Sequence, residues 1–187
     1  YEVATGFFYT PGPADEARLQ EGIRVDLREL CCKENGVAFL QKEMSQIDFS
    51  SDVTVLALGS ETDDYGIPGV LEHGMPYKSV ADALKLRRKL LDFVDRKRRG
   101  EEVQISVVIG GGGATGVELA AEVNQFFRHV VARGDIKVGD YQIMLAEIGP
   151  LLMAGGHRKI SRWAYDRLSH LGVKVLRDTC VKRAEAG

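Results

Sequence analysis

A run of four glycines, Gly110 to Gly113, separates an apolar segment from a helical one within VVIGGGGATGVELAAEV, residues 107–123. Because each glycine costs backbone entropy on folding, such a run indicates either an ordinary loop or a backbone that another group must approach closely. The dinucleotide fingerprint G-x-G-x-x-G fits Gly111, Gly113 and Gly116, directly after the predicted strand ISVVI and at the opening of a predicted helix. This context favours a nucleotide-binding turn.

The three fingerprint glycines have separate physical roles in this interpretation. Gly111 makes the tight turn, Gly113 lets a pyrophosphate approach the backbone, and Gly116 lets the helix pack close to the strand. The amides at the helix start, together with the positive end of the helix dipole, then hold the phosphates. Gly110 lies outside the fingerprint and is interpreted as a small residue at the strand end. The alternative is a glycine-rich turn that binds no ligand.

Residues 101–187 alternate between strand-like and helix-like segments. In order, the sequence predicts the strand QISVVIG, the helix TGVELAAEVNQFFRHVV, the strand YQIMLAEIG, the helix HRKISRWAYDRLSHLG and the strand VKVLRD. Regular alternation of this kind is typical of βαβ units with right-handed crossovers on a parallel sheet. We therefore predict an α/β fold with a Rossmann-like three-layer dinucleotide-binding domain.

A Rossmann unit places an acid at the end of its second strand, where the acid hydrogen-bonds a ribose hydroxyl. Glu147 occupies that place in YQIMLAEIGP, although its separation from Gly116 exceeds the usual spacing of about 20 residues. We interpret RGDIKVGD as a polar insertion that accounts for the excess. An acid here favours NAD over NADP because it would repel a 2′-phosphate. We expect Glu147→Ala to weaken NADH binding and leave the fold intact, unless Glu147 is only a solvated strand-end acid.

Glu118 is the second carboxylate of interest. We predict that it lies in the first turn of the helix that begins at the glycines, facing the cofactor, where the helix dipole favours its charged form. It is either a catalytic carboxylate or an ordinary acid that stabilises the helix start.

Another helix is predicted to begin after Ser79, because Ser79 and Asp82 form an S-x-x-D capping pattern. Its predicted apolar face comprises Val80, Ala83, Leu84, Leu90, Leu91 and Val94. The basic run Arg96–Arg99 ends this helix, where cations complement the helix dipole. An anion-binding patch is the alternative interpretation of that run.

Composition narrows the remaining function classes. The formal net charge is −2, from 25 basic and 27 acidic residues, so the overall charge offers no reason to expect nucleic acid as a partner. The three cysteines, Cys31, Cys32 and Cys180, make neither a disulfide framework nor a C-x-x-C motif, and we interpret them as small core residues in a reducing compartment. No apolar run approaches the ~20 residues of a membrane span, and no signal peptide opens the chain. We expect a cytoplasmic protein without a metal site.

Several of these stretches together resemble a known family. VVIGGGGATGVELAAEV resembles the NADH-binding motif of type II NADH dehydrogenases, the flavoprotein NADH:quinone oxidoreductases of the pyridine-nucleotide-disulfide oxidoreductase superfamily. YEVATG at residues 1–6 resembles the family's loop near the flavin, and VLALGSETDDYGIPGV resembles the segment that leaves the flavin domain. KSVADALKLRRKLL resembles the helix that follows. The order and spacing of these stretches agree over nearly the whole chain.

The resemblance implies that hydride passes from NADH to FAD and that the electrons go on to a quinone. By position, the residues that would hold the NADH phosphates are Gly111, Gly112, Gly113, Ala114, Thr115 and Gly116. Glu147 would bind the adenosine ribose, and Glu118 would lie near the nicotinamide and flavin rings as the catalytic residue. Ala57 and Gly59 would approach FAD. The resemblance also implies that the parent enzyme contacts the cytoplasmic face of a membrane through regions outside this chain, and it allows a homodimer.

The resemblance divides the chain into three parts. These are a partial FAD-binding segment (1–59), a connecting turn with a crossover helix (60–100) and a NADH-binding Rossmann domain (101–187) that is incomplete at its C-terminus. The family has an earlier G-x-G-x-x-G for FAD, and this chain has no second fingerprint. We therefore expect a piece of a larger enzyme that binds NADH, holds little or no FAD and does not reduce quinone by itself.

Two other interpretations stay open. The first is a non-catalytic NAD-binding or regulatory module, which needs only the glycine fingerprint and Glu147 and which would bind no flavin. The second is another flavoprotein oxidoreductase resembling the disulfide reductases. Sulfide:quinone reductases and dithiol reductases need redox cysteines, and the neighbours Cys31 and Cys32 suit that role poorly because a vicinal disulfide is strained.

Overall fold

The structure is a computed structural model that describes residues 61–186. In chain order, its elements are helix α1 (Val70–His73), helix α2 (Val80–Arg98), strand β1 (Ile105–Gly110), helix α3 (Ala114–Ala132), a 3₁₀ turn (Val138–Asp140), strand β2 (Tyr141–Ala146), helix α4 (Arg158–His170) and strand β3 (Lys174–Leu176). Strands and helices alternate from β1 onward, as the sequence pattern predicts.

The three strands form a parallel sheet in the order β1-β2-β3. Ile105 pairs with Tyr141 and Gly110 pairs with Ala146, so β1 and β2 are in register along their whole length. The pairing continues past β1, where the amide of Gly111 donates a hydrogen bond to the carbonyl oxygen of Ala146 at 2.8 Å. This parallel sheet with intervening helices confirms the predicted α/β fold class.

The hydrophobic core lies on one face of the sheet. Because side chains alternate along a strand, Ile105, Ile109, Ile143 and Leu145 share one face, and all four are buried. The helices pack into the same cluster through Leu90, Val94, Ala120, Val123, Phe127, Ala164 and Leu168. Helices α2, α3 and α4 therefore contribute to a single core.

The opposite face of the sheet carries Ser106, Val108 and Gln142. Val108 is 58% exposed there, and the Nε2 atom of Gln142 donates to the Oγ atom of Ser106 at 3.0 Å. Residues 61–186 thus show two layers, and the third layer of the predicted fold stays a prediction. The predicted flavin-domain segment, 1–59, lies outside the described residues.

Helix α2 begins as its capping pattern predicts. The Oγ atom of Ser79 accepts a hydrogen bond from the Asp82 amide at 3.2 Å, and Oδ2 of Asp82 accepts one from the Ser79 amide at 2.9 Å. Its buried side chains are Leu84, Arg87, Leu90 and Val94. Val80 was predicted on the apolar face, but it is 42% exposed because it is the first residue of the helix.

The basic run at the end of α2 forms ion pairs within the protein. These are Arg96–Glu101 (2.7 Å), Lys97–Asp140 (3.1 Å), Arg98–Asp135 (3.2 Å) and Arg99–Glu101 (3.1 Å). The second and third pairs join the end of α2 to the segment that precedes β2. This arrangement supports the structural interpretation of the basic run over an anion-binding patch.

Two interpretations from the sequence need correction. The insertion RGDIKVGD is not wholly polar, because Ile136 is buried in the core and the segment ends in the 3₁₀ turn. Cys180 is exposed and is not a core residue, because it lies beyond the end of β3. Cys31 and Cys32 lie outside the described residues.

Candidate functional site

The glycine turn, residues 110–116, joins the end of β1 to the start of α3. Gly111 has a φ of +99°, which L side chains rarely adopt, so the turn requires glycine at this position. Gly113 is the N-cap of α3, and its carbonyl oxygen accepts the first helical hydrogen bond from the Val117 amide at 3.0 Å. The chain therefore passes from strand to helix within three residues at the carboxyl end of β1.

Two more glycines are required by close packing. A Cβ atom on Gly116 would collide with the carbonyl oxygen of Gly111. A Cβ atom on Gly112 would lie 2.6 Å from Cδ2 of Leu152 and 2.9 Å from Oε2 of Glu147. Both positions are therefore closed to larger residues by the protein itself.

Gly110 and Gly113 have room for a side chain. A Cβ atom on Gly110 would meet only Cγ2 of Val181, at 3.8 Å, which agrees with its interpretation as a small residue at the strand end. Among residues 61–186, no atom lies within 4 Å of a Cβ atom on Gly113. No side chain caps the start of α3, and its first turn contains no acid. Open space before an uncapped helix start is suited to an anion, because the first amides of a helix lack partners within it.

Glu147 follows β2 directly, and its carboxylate lies against the glycine turn. Oε2 accepts a hydrogen bond from the Gly112 amide at 2.6 Å, and Oε1 accepts one from the Gly149 amide at 2.7 Å. Such charge-assisted bonds hold both the turn and the carboxylate in place. A carboxylate has about four acceptor sites, so Glu147 retains capacity for a further donor such as a ribose hydroxyl. The structure thus brings the glycine fingerprint and the predicted acid together.

Glu118 lies in the second turn of α3, which corrects its predicted place in the first turn, because the helix begins at Ala114. Its side chain is exposed. Glu122 follows one turn later, and burial raises the pKa of Glu122, with a further increase from the charge of Glu118. Burial also raises the pKa of Tyr77, with smaller contributions from Glu122 and Glu118. We call Tyr77, Glu118 and Glu122 the acidic cluster.

The acidic cluster contains a polar atom that the fold leaves without compensation. Oε2 of Glu122 is buried, and within residues 61–186 no donor reaches it. A buried carboxylate oxygen without a donor favours the protonated acid. Burial therefore favours the protonated form of Glu122, one helical turn from the exposed side chain of Glu118.

The other predicted site residues fall into two groups. Ala114 and Thr115 are the first two residues of α3 and are exposed beside Gly113. Ala57 and Gly59, the predicted FAD contacts, lie outside the described residues. Their roles stay predictions.

Leu152 and Met153, which the sequence analysis did not identify, contact Gly112 of the glycine turn. The Met153 amide donates to the carbonyl oxygen of Gly112 at 2.7 Å, and Met153 itself adopts a φ of +52°. Leu152 is fully buried against the same glycine. The apolar stretch after Glu147 was a signal for this packing, whereas nothing in the sequence indicated the backbone conformation of Met153. The four-residue spacing of Glu118 and Glu122 was the available signal for the acidic cluster.

A parallel βαβ unit with this glycine turn, an acid after the second strand and an uncapped helix start defines a dinucleotide-binding domain of the Rossmann class. The sequence matches the family described as pyridine nucleotide-disulphide oxidoreductase over residues 14–187, and the chain belongs to this family.

Several relatives share the sequence and the fold. The chain is 29% identical over 141 residues to the external alternative NADH-ubiquinone oxidoreductase, mitochondrial, of Yarrowia lipolytica, an alignment that covers 72% of this chain and 24% of that protein. It is 28% identical to the type II NADH:quinone oxidoreductase of Haemophilus influenzae, over 72% of this chain and 34% of that protein. The solved structure of NDH2 from Plasmodium falciparum in complex with NADH superposes with a TM-score of 0.62 and 27% identity, over 68% of this chain and 27% of that one. These similarities confirm the resemblance to type II NADH dehydrogenases.

The chain spans about a quarter to a third of the length of these relatives. Within residues 61–186, no helix has the length and apolar character needed to cross a membrane.

Proposed function

We propose that this chain is the NADH-binding part of a FAD-dependent NADH:quinone oxidoreductase. The observation that carries the proposal is the glycine turn. Within residues 61–186, the space next to Gly113 is open at a helix start that has no side-chain cap, and Glu147 accepts a hydrogen bond from the Gly112 amide of the turn. The relatives named as NADH-ubiquinone and NADH:quinone oxidoreductases support the parent activity, as does the NADH complex of the P. falciparum protein.

The described residues fit the pyrophosphate of a dinucleotide. The first amides of α3 and its positive dipole end would receive the phosphates, beside Ala114 and Thr115. Glu147 would accept hydrogen bonds from the adenosine ribose hydroxyls while it keeps the two hydrogen bonds that it accepts from backbone amides. Its negative charge favours NADH over NADPH, since a 2′-phosphate would be repelled.

We propose a catalytic role for Glu118 near the reacting rings of nicotinamide and flavin. It is exposed on α3, two residues after Gly116, the last of the residues that would hold the pyrophosphate. FAD, when bound, supplies the redox chemistry. The part of this chain is to bind and orient NADH and to place the exposed carboxyl group of Glu118 one helical turn from Glu122, whose pKa is raised by burial.

The remaining predictions are proposals of the same kind. They are FAD contacts at Ala57 and Gly59, the three-part division into 1–59, 60–100 and 101–187, a quinone as electron acceptor, a possible homodimer, and a cytoplasmic location with the parent enzyme at the cytoplasmic face of a membrane. The non-catalytic NAD-binding module is the competing function, and it differs by having no flavin in the parent protein.

A titration of the purified chain with NADH and NADPH tests the binding site. We expect NADH to bind at least tenfold more tightly than NADPH, because repulsion by Glu147 opposes a 2′-phosphate. Equal affinity for the two nucleotides would contradict the role of Glu147. An absorption spectrum of the same sample should show little or no flavin, and a stoichiometric flavin band would contradict the assignment of the chain as the NADH-binding part.

The variant Gly113→Ala separates ligand binding from folding. Its Cβ atom would contact none of the residues that the structure describes, but it would enter the space where the pyrophosphate is proposed to lie. We therefore expect a loss of NADH affinity of roughly a hundredfold with at most a small loss of stability, below about 1 kcal/mol, because alanine is a poorer N-cap than glycine. Gly110→Ala is the matched control, since its Cβ atom also finds room but lies at the strand end, and it should bind NADH normally. Normal NADH binding by Gly113→Ala would show that the glycine turn is not the site.

A further inference from the structure

A pocket beside helix α4 has a lining that includes none of the residues of the glycine turn. It is a cavity of about 350 Å³ between helix α4 and the residues that follow β2 and β3. Its lining includes the three arginines Arg158, Arg162 and Arg177, and neither the glycine turn nor Glu147 contributes to it. We call it the arginine pocket.

Arg177 is held in position by two contacts. Its guanidinium carbon lies 4.5 Å from the ring centroid of Tyr165, and Nη1 donates to the carbonyl oxygen of Pro150 at 3.3 Å. A guanidinium has five N–H donors, and these contacts use its face and one edge. Arg177 therefore presents further donors on a planar group that is already ordered, which lowers the entropy lost when an anion binds.

Arg158 and Arg162 extend the positive charge along α4. They are four residues apart and therefore lie on one side of the helix, where like charges repel each other. Arg158 is also the first residue of α4, whose first turn contains no acid, so its charge faces the positive end of the helix dipole. The fold thus concentrates positive charge where the helix itself disfavours it.

The pocket has little negative charge of its own. Asp166 is the acid in its lining, and its Oδ2 atom lies 3.9 Å from Nε of Arg162, with both side chains largely exposed. An ion pair that long and that solvated compensates little charge. Three arginines and one aspartate leave a formal charge of +2 around the pocket.

We propose that the arginine pocket binds a phosphate-bearing ligand, separately from the dinucleotide at the glycine turn. Guanidinium groups pair with phosphate oxygens in a bidentate manner, and guanidinium groups that approach from α4 and from the end of β3 can contact different phosphate oxygens. Ser161, which is buried in the lining, adds a hydroxyl group. Leu151 and Tyr165 supply an apolar wall for the non-phosphate part of the ligand.

Calorimetric titration of the full chain with inorganic pyrophosphate, in phosphate-free buffer of low salt, tests the proposal. The double variant R158Q/R162Q should bind pyrophosphate at least roughly tenfold more weakly, because charge-assisted hydrogen bonds to the anion are lost. The matched control R128Q/R167Q removes the same charge from two exposed arginines outside the pocket and should change the affinity by no more than about twofold. The single variant R162Q, at a side chain that is 86% exposed, provides a readout if the double variant is unstable.

Two further measurements separate this pocket from the glycine turn. Gly113→Ala, which is expected to lose NADH, should keep its affinity for pyrophosphate at the arginine pocket. R158Q/R162Q should in turn keep its affinity for NADH. If the arginine variants bind pyrophosphate as tightly as the wild type, or if they lose NADH to the same degree, the arginine pocket is not a separate phosphate site and the proposal is wrong.

The source of the phosphate is decided by a parallel experiment with vesicles. Binding to vesicles of phosphatidylcholine with phosphatidic acid, relative to phosphatidylcholine alone, would assign the pocket to a lipid headgroup if R158Q/R162Q abolishes it and R128Q/R167Q does not. Pyrophosphate binding without such vesicle binding would assign the pocket to a soluble phosphate compound. Vesicle binding that both double variants lose equally would reflect net charge alone and would contradict a lipid site at the pocket.

Discussion

The first backbone amides of a helix have no acceptors within the helix, and helices α2 and α3 differ in how they treat these amides. At α2, Ser79 and Asp82 cap each other's backbone amides in a reciprocal pair of hydrogen bonds. At α3, Gly113 stands at the N-cap with no side-chain hydrogen bond. The α2 start is capped by side chains of the chain, whereas the α3 start has no side-chain cap, which supports the dinucleotide site that we propose there. The contrast distinguishes a capped helix start from the one at which we propose a ligand.

Two acids on these helices, Asp82 in the first turn of α2 and Glu122 in the third turn of α3, have pKa values shifted in opposite directions. Hydrogen bonds from the Ser79 backbone and side chain lower the pKa of Asp82, so the fold favours its charged form. Burial raises the pKa of Glu122 on α3, so the fold opposes its charged form. An acid in the first turn of α3, like Asp82 in α2, would stabilise the helix start through the helix dipole. The first turn of α3 has no acid that would repel a negatively charged ligand, and this supports the proposed dinucleotide site.

The largest effect is expected for Gly116→Ala. The new Cβ atom would collide with the carbonyl oxygen of Gly111, which the backbone of the turn cannot move away without breaking its pairing with β2. We expect the free energy of unfolding to fall by about 3 kcal/mol, measured by denaturant titration, together with loss of NADH binding. Gly110→Ala is the control and should stay within about 0.5 kcal/mol of the wild type. Equal stability of the two variants would mean that the close approach of α3 to the turn is not required.

The next effect is expected for Glu147→Ala. From the sequence alone we expected this variant to leave the fold intact, but the structure shows that the carboxylate accepts hydrogen bonds from the amides of Gly112 and Gly149. Leaving such partly buried amides without an acceptor should cost about 2 kcal/mol of unfolding free energy in addition to weakening NADH binding. Chemical denaturation with and without NADH measures both. A variant with wild-type stability would show that Glu147 acts on the ligand only.

A smaller effect is expected for Ser79→Ala at the start of α2. Loss of the N-cap hydrogen bond should lower the unfolding free energy by about 1 kcal/mol. NADH affinity should not change, because this cap is complete without a ligand. A change in NADH affinity as large as that of Gly113→Ala would remove the distinction between the two helix starts.

The smallest effect is expected for Glu122→Gln, and its size depends on pH. Because the pKa of Glu122 is raised in the folded state, the folded protein holds this proton more tightly, and stability falls as the pH rises from the ordinary glutamic acid pKa of about 4.3 through the raised value. Glu122→Gln should therefore be more stable than the wild type at neutral pH, with the difference vanishing below about pH 4.

Asp82→Asn provides the opposite case on α2. The pKa of Asp82 is lowered, so its contribution to stability is present above the ordinary aspartic acid pKa and is lost as the pH falls through the lowered value. Thermal melts between pH 3 and pH 8, roughly the range spanned by these carboxyl groups, should therefore show Asp82→Asn less stable than the wild type at neutral pH. The same sign of change for Asp82→Asn and Glu122→Gln would contradict the contrast between the two acids.

Much of the fold followed from local patterns in the sequence. The alternation of apolar runs predicted β1, α3, β2, α4 and β3, and the S-x-x-D pattern predicted the start of α2. The fingerprint spacing located the tight turn at Gly111. Each of these features depends on residues that are close together in the sequence. The pattern of residue types in one sequence is therefore enough to predict them.

Other features depend on residues that are distant in the chain. The sequence did not indicate that Arg87 would be buried, that Cys180 would be exposed, or that Glu118 would lie in the second turn of α3. Exposure and helix phase depend on which elements pack together. Local periodicity predicts only which side of an element is apolar.

The sequence by itself determined that a glycine turn follows a strand and opens a helix, and that an acid ends the next strand. Only the tertiary structure decided which of these residues contact each other and which hydrogen bonds they form. Parallel pairing of β1 with β2 brings Glu147 onto the amide of Gly112, 35 residues earlier, and packing of α3 places Gly116 against the carbonyl of Gly111. The same packing brings Arg177, after β3, to the arginines of α4. Local patterns follow from backbone sterics and periodicity, whereas these contacts exist only once the sheet has formed.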